Sequence, residues 1–81
     1  MGKNGKIPLT ELPNGVTCRV VEIQGGQGMT DRLRVLGIGV GRELRKVSSQ
    51  FMRGPVVLEI GNTQIAVGFN MAEKIGVEAK K

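Results

Sequence analysis

An all-β domain with short helices is the fold class this sequence predicts, on three observations. Thirteen glycines among 81 residues imply many tight turns and short elements between them. Val56, Leu58 and Ile60 before Gly61-Asn62, and Ile65 and Val67 after it, stand at alternate positions that make one apolar face across a two-residue hairpin signal. Helical spacing never lasts beyond about six residues, too few to hold a helix alone in water, so any helix must rest on strands. A chain of this length with 40% apolar residues allows one small core and hence a single domain.

Taken in order, residues 1–6 are polar and glycine-bearing and read as a disordered leader. The domain then spans 7–79, with 80–81 as a basic tail. Leu9 and Leu12 lie at helical spacing with Thr10 as a cap, before a turn at Pro13-Asn14-Gly15. A first strand over 17–24 has an alternation that slips at Val20-Val21, the mark of a bulge or of burial on both faces. Residues 25–28 form a flexible link. A plug helix follows, with Thr30 as N-cap and Asp31 in the first turn, where the helix dipole favours a negative charge. Leu33 and Leu36 share its buried face, while Arg32 and Arg34 point elsewhere. Gly37 suits the left-handed residue that ends a helix, with Ile38 packing back, and Val40-Gly41 fits the centre of a type II turn.

A strongly charged second strand over 42–49, at a sheet edge or bent, leads through a loop at 50–54. Gly54 and Pro55 make the turn into the third strand, which Pro55 opens where a missing N–H is tolerable. Val56, Leu58 and Ile60 share one face of that strand, with Val57 and Glu59 on the other. A fourth strand over 63–67 continues the apolar face with Ile65 and Val67. Asn70 and Glu73 have the spacing of a capping box for one helical turn closed by Gly76, and Val77-Glu78 adds a short last strand. Five short strands and two helical turns suggest a small SH3-like β-barrel, a closure that also removes exposed sheet edges.

The composition excludes most chemistry. No apolar run approaches the roughly 18 residues of a membrane span and no signal-peptide core is present, so a cytoplasmic protein without direct membrane insertion is expected. A single cysteine, Cys18, allows no internal disulfide and reads as a small buried hydrophobe on the first strand. Histidine is absent and the seven carboxylates are scattered, which leaves neither a metal-ligand cluster nor a general base. No catalytic residue, metal or cofactor is therefore expected. The glycines of Gly37-Ile-Gly-Val-Gly41 follow a helix rather than a strand, so they serve turns and not a dinucleotide.

The net charge of +5 comes largely from Lys3, Lys6, Lys80 and Lys81 at the ends. Within the domain, residues 32–53 hold Arg32, Arg34, Arg42, Arg45, Lys46 and Arg53 against Glu43 alone. Two phenylalanines, with no Tyr or Trp, provide no stacking platform for single-stranded nucleic acid. The basic stretch reads as solvated surface or as a docking face for an acidic protein. On a regular strand Arg42 and Arg45 face opposite sides, so Arg32, Arg34 and Arg53 are the stronger candidates for partner binding.

The motifs, in order, resemble one family. Leu9, Leu12 and Gly15 come first, then Gly25-Gly26, then Arg32-Leu33 with Leu36-Gly37-Ile38 and Gly41. Gly54-Pro55-Val56, Ile65-Ala66, and Met71-Ala72 with Ile75 and Val77 complete the pattern. This resembles the ferrous iron transport protein A family (FeoA-like) over roughly residues 8–78. Two positions depart from it: Val40 stands where the family often has proline, and Lys46 where it usually has an apolar residue. The resemblance implies an SH3-like barrel in the bacterial cytoplasm. It further implies a non-enzymatic accessory protein of the membrane ferrous iron permease, acting on that permease's cytoplasmic GTP-binding domain. The family also occurs as a C-terminal domain of iron-dependent repressors, but within these 81 residues no helix-turn-helix precedes the barrel. The alternatives are a small basic nucleic-acid-binding barrel and a domain that senses iron directly.

Overall fold

Residues 5–49 and 53–80 are described by a computed structural model. In chain order they form β1 (Lys6–Pro8), a 3-10 turn (Leu9–Glu11), β2 (Thr17–Ile23), α1 (Gly26–Val35), β3 (Glu43–Ser49), β4 (Val56–Ile60), β5 (Thr63–Val67), α2 (Phe69–Glu73) and β6 (Ile75–Ala79). The strands make one antiparallel sheet in the order β1-β6-β2-β3-β4-β5.

The hairpin forms where alternation and turn chemistry coincide. Ile60 stands opposite Thr63 across Gly61-Asn62, and Gly61 takes φ 60°. Val56, Leu58 and Ile60 turn inward, while Glu59 stays outside and binds Arg45 at 2.9 Å. Two register shifts bend the sheet, one in β2 between Val20 and Glu22 and one in β3 between Lys46 and Ser48. The first falls where the sequence alternation slips. The bends curl the strands around a core that takes Leu9 and Leu12 from the N-terminal turn, Leu33 from α1, Ala72 from α2, and the inward faces of β2, β4 and β6.

Several expectations need correction. Lys6 is not part of a leader: it opens β1 opposite Glu78, and its ammonium pairs with Glu22. Residues 1–4 lie outside the described residues, as does Lys81. Lys80 is no free tail either, since its N–H donates to the Thr17 carbonyl at 2.8 Å and its ammonium pairs with Glu43. Residues 7–15 hold the end of β1 and then only a 3-10 turn, which follows an extended Pro8 at φ −63° and ψ 145° and has no side-chain cap from Thr10. The expected strand at 42–49 is bent but lies inside the sheet, between β2 and β4. Part of the expected 50–54 loop lies outside the described residues. The capping box is not made: α2 begins after Gly68 with no side-chain cap. Gly76 belongs to β6, opposite Pro8, and does not end a helix. β6 is longer than expected and sits between β1 and β2, so the chain's end is woven into the sheet.

The largest surprise inside the barrel is Lys46. Its residue is only 2% exposed, and its Nζ donates to the carbonyls of Leu12 at 2.7 Å and Thr10 at 3.0 Å. Its own backbone N–H donates to Val16, and its carbonyl accepts from Gly15. Burial pushes the amine below the ordinary lysine value of 10.5. Its carbonyl partners satisfy the ammonium without a counter-charge, and Lys46 thereby ties the N-terminal turn to β3. It belongs to the interior, not to the basic surface.

Candidate functional site

α1 is a ten-residue helix that begins earlier than its capping chemistry suggests. Gly25 precedes it in the left-handed region at φ 105°, where a Cβ would lie 3.1 Å from Met29 Cβ. Thr30 is therefore inside the helix, its hydroxyl donating back to the Gly26 carbonyl at 3.2 Å rather than capping. Leu33 is fully buried and plugs the barrel.

The helix end is as the sequence predicts. Gly37, at φ 89°, donates its N–H to Arg34, and Ile38 donates to Leu33, both at 2.9 Å. These are the two bonds of a Schellman motif, and they draw Ile38 into the core. The type II turn follows, with Arg42 N–H donating to the Gly39 carbonyl at 3.0 Å and Gly41 at φ 92°. Gly41 N–H and Arg42 carbonyl then bond both backbone groups of Val20 on β2, at 2.8 and 3.0 Å. Two glycines at positive φ thus fix a sharp corner between α1 and β3.

That corner leaves apolar side chains outside. Val35 is 86% exposed, Val40 67% and Leu36 39%, and they are the exposed large hydrophobic residues among those described. Leu36 was expected on the buried face with Leu33. It is instead the C-cap residue, where the chain leaves the helix and the three-residue spacing no longer holds a side chain on the inner stripe. Arg32 and Arg34 are exposed beside these residues, as is Arg42 just past the turn. Arg34 lies a long 3.5 Å from Asp31, whose carboxylate also accepts from Gln27 at 2.8 Å. Arg34, residues 37–41 and Arg42 line a shallow concavity of about 470 Å³.

The other basic candidates fall elsewhere. Arg45 is engaged by Glu59 and Lys46 is internal. Arg53 takes the left-handed conformation itself, at φ 66°, and holds its guanidinium 5.6 Å from the Phe69 ring. Gly54 and Pro55 follow it into β4, so Arg53 lies before the start of that strand. A Cβ on Gly37 would approach Ile60, at the strand's far end, and four residues of strand span about 13 Å. The structure thus sets Arg34 and Arg42 on one concavity, leaves Arg32 exposed elsewhere on α1, and leaves Arg53 apart. The sequence reading found the arginines but not Val35, Leu36 and Val40. A signal for Val40 was available: an apolar side chain at the second position of a turn has no sheet or helix face to bury it.

Cys18 is fully buried on β2, and burial pushes its thiol up to about 11, which leaves almost no nucleophilic thiolate at neutral pH. Among the described residues no three His, Cys, Asp or Glu side chains are grouped to hold a metal ion, and no helix is long and apolar enough to cross a membrane.

A curled antiparallel sheet with a helical plug at one corner defines a small SH3-like barrel, and comparison with solved proteins agrees. A crystal structure described as an iron uptake regulatory protein (FeoA) superposes with a TM-score of 0.84 at 27% identity, over 93% of this chain and 97% of that one. A manganese-dependent transcriptional repressor shares the fold with a TM-score of 0.85 at 20% identity, over 98% of this chain but 44% of that one. Among curated proteins, "Putative Fe(2+) transport protein A" of Methanocaldococcus jannaschii is 35% identical over 71 residues, 88% of this chain and 84% of that protein. The family model described as the FeoA domain matches residues 7–79, and the chain belongs to that family.

Proposed function

We propose that this protein is a non-enzymatic accessory protein of ferrous iron uptake. It acts in the cytoplasm by docking on the GTP-binding domain of the iron permease through the corner formed by α1 and the following turn. Family membership and the curated relative, itself described as a transport protein, support the link to iron. The observation that carries the docking reading is the exposure of Val35, Leu36 and Val40 along the end of α1 and the turn after it, in the same short stretch as the exposed Arg32, Arg34 and Arg42. Exposed apolar residues that cluster and carry a charged rim mark protein interaction surfaces.

The test is a binding measurement between the protein and the permease's isolated cytoplasmic domain at low and high salt. An Arg32→Glu/Arg34→Glu variant is expected to fold normally and to lose the salt-sensitive part of binding, because rim charges steer association. Its weak binding to a generic single-stranded oligonucleotide should not change. Micromolar oligonucleotide binding that disappears with these arginines, with permease binding undisturbed, would instead support the nucleic-acid-binding barrel. Anaerobic Fe²⁺ titration of the isolated protein is expected to show no one-to-one site tighter than micromolar. A tight site lost in Cys18→Ser would support direct sensing.

A further inference from the structure

The turn between α1 and β3 offers more than a rim of charge. Its concavity has Arg34 on the helix side, Arg42 on the strand side, Val40 on its wall and three glycines in its lining. The N–H groups of Gly39 and Val40 have no hydrogen-bond acceptor among the described residues, whereas those of Gly37, Ile38, Gly41 and Arg42 are all bonded. Among the described residues Arg42 makes no ion pair, and the nearby carboxylates are already engaged, Asp31 by Gln27 and Arg34 and Glu43 by Lys80. The corner therefore presents donors and positive charge in excess of acceptors, beside apolar side chains that have nothing to cover them.

This asymmetry selects the occupant. A second copy of the chain would bring a second set of Arg32, Arg34 and Arg42 against the first, and like charges across an interface are costly. Nucleic acid would meet the arginines but leave Val35, Leu36 and Val40 without partners, and among the described residues no exposed aromatic side chain is present for bases to stack on. An anionic lipid surface would also meet the exposed Val35 and Val40, and it is kept as an outcome of the test. We infer that the concavity receives a segment of the partner protein carrying a carboxylate next to a branched apolar side chain. The carboxylate lies between Arg34 and Arg42 within reach of the free amides, and the apolar side chain lies against Val40, extending over Leu36 and Val35. This assignment rests on the docking function proposed above and names the chemistry of what docks.

Gly39 makes the inference testable without touching charge. It lies outside the left-handed region, and a Cβ built on it meets nothing within 4 Å. Gly39 lines the concavity, so a larger side chain there adds bulk at the site without forcing a left-handed backbone. The experiment titrates the isolated cytoplasmic domain of the permease into wild type, Gly39→Leu and Arg34→Glu/Arg42→Glu, with melting temperature measured for each. Wild type is expected to bind. Gly39→Leu should keep the wild-type melting temperature and bind at least about tenfold more weakly at every salt concentration. The arginine variant should lose about tenfold at low salt and less at high salt. If Gly39→Leu and the arginine variant both bind like wild type, the concavity is not the receptacle, and the docking function survives on another face. If wild type itself does not bind, both fail. Binding of wild type to vesicles of anionic phosphatidylglycerol, lost in Gly39→Leu, would assign the face to a membrane and overturn the inference.

Discussion

Two corners of this barrel invert the usual placement of side chains, in opposite ways. At the N-terminal corner a charge is inside: Lys46 is buried, and its ammonium is satisfied by the carbonyls of Thr10 and Leu12. At the corner after α1, apolar groups are outside: Val35, Leu36 and Val40 face solvent while the backbone beneath them is tied to Val20, Leu33 and Arg34. The first corner is complete, because the polar group it buries has its partners within the chain. The second is incomplete, because its apolar surface has none. Changes at the first corner should therefore appear in stability, and changes at the second in binding.

The sharpest way to break the comparison lies within one helix. Leu33→Ala removes a fully buried plug and should cost about 2–5 kcal/mol in urea denaturation. Leu36→Ala, three residues on and partly exposed, should stay within about 1 kcal/mol. Equal losses would show that Leu36 is a core residue and that the corner is not exposed.

Lys46→Ala comes next. It removes a buried charge, which is favourable, but strands the buried Leu12 carbonyl and the part-buried Thr10 carbonyl, and the net cost should be about 1–3 kcal/mol by the same assay. Binding to the permease domain should be unchanged. Gly37→Val and Gly41→Val should each cost about 1–3 kcal/mol, since a β-branched residue is strained at φ 89° and 92°. If both valine variants melt like wild type, the two glycines do not fix the corner.

A smaller effect concerns pH. Burial lowers the Lys46 pKa below its unfolded value of 10.5, so between the two values the unfolded chain binds more protons than the folded one. By linkage, the Lys46 contribution to stability rises with pH across that window and is constant below it. Urea midpoints of wild type and Lys46→Met, measured from pH 7 towards 10.5, should show the rise in wild type and less of it in the variant. Parallel curves would mean that the amine titrates as if exposed.

What the sequence made legible follows the range of each interaction. The β4–β5 hairpin could be read because its register is set by local alternation and a two-residue turn. The Schellman end of α1 and the turn at Gly41 were legible for the same reason: each is a glycine within four residues of the groups it serves. The start of α1 was not, because Gly25 acts through a close approach to Met29 and Lys74 rather than through a capping side chain. Lys46 was misplaced on the surface because its partners are backbone carbonyls 34 and 36 residues away, which no side-chain pattern records. The pairing of β1 with β6 joins the two ends of the chain and is invisible to local spacing. Of the candidate site, charge marked Arg32 and Arg34. The apolar half was hidden because exposure of Val35 and Val40 depends on how the corner folds.

The most direct test of the central claim is isothermal titration of the permease's cytoplasmic domain with a Val35→Ser/Val40→Ser variant, alongside its thermal unfolding. Both side chains are outside, so melting should match wild type to within about 0.5 kcal/mol per substitution. Binding should weaken by at least about tenfold if the proposed docking covers this apolar surface. Wild-type affinity in this variant would contradict the account and leave the exposed corner without a role in docking.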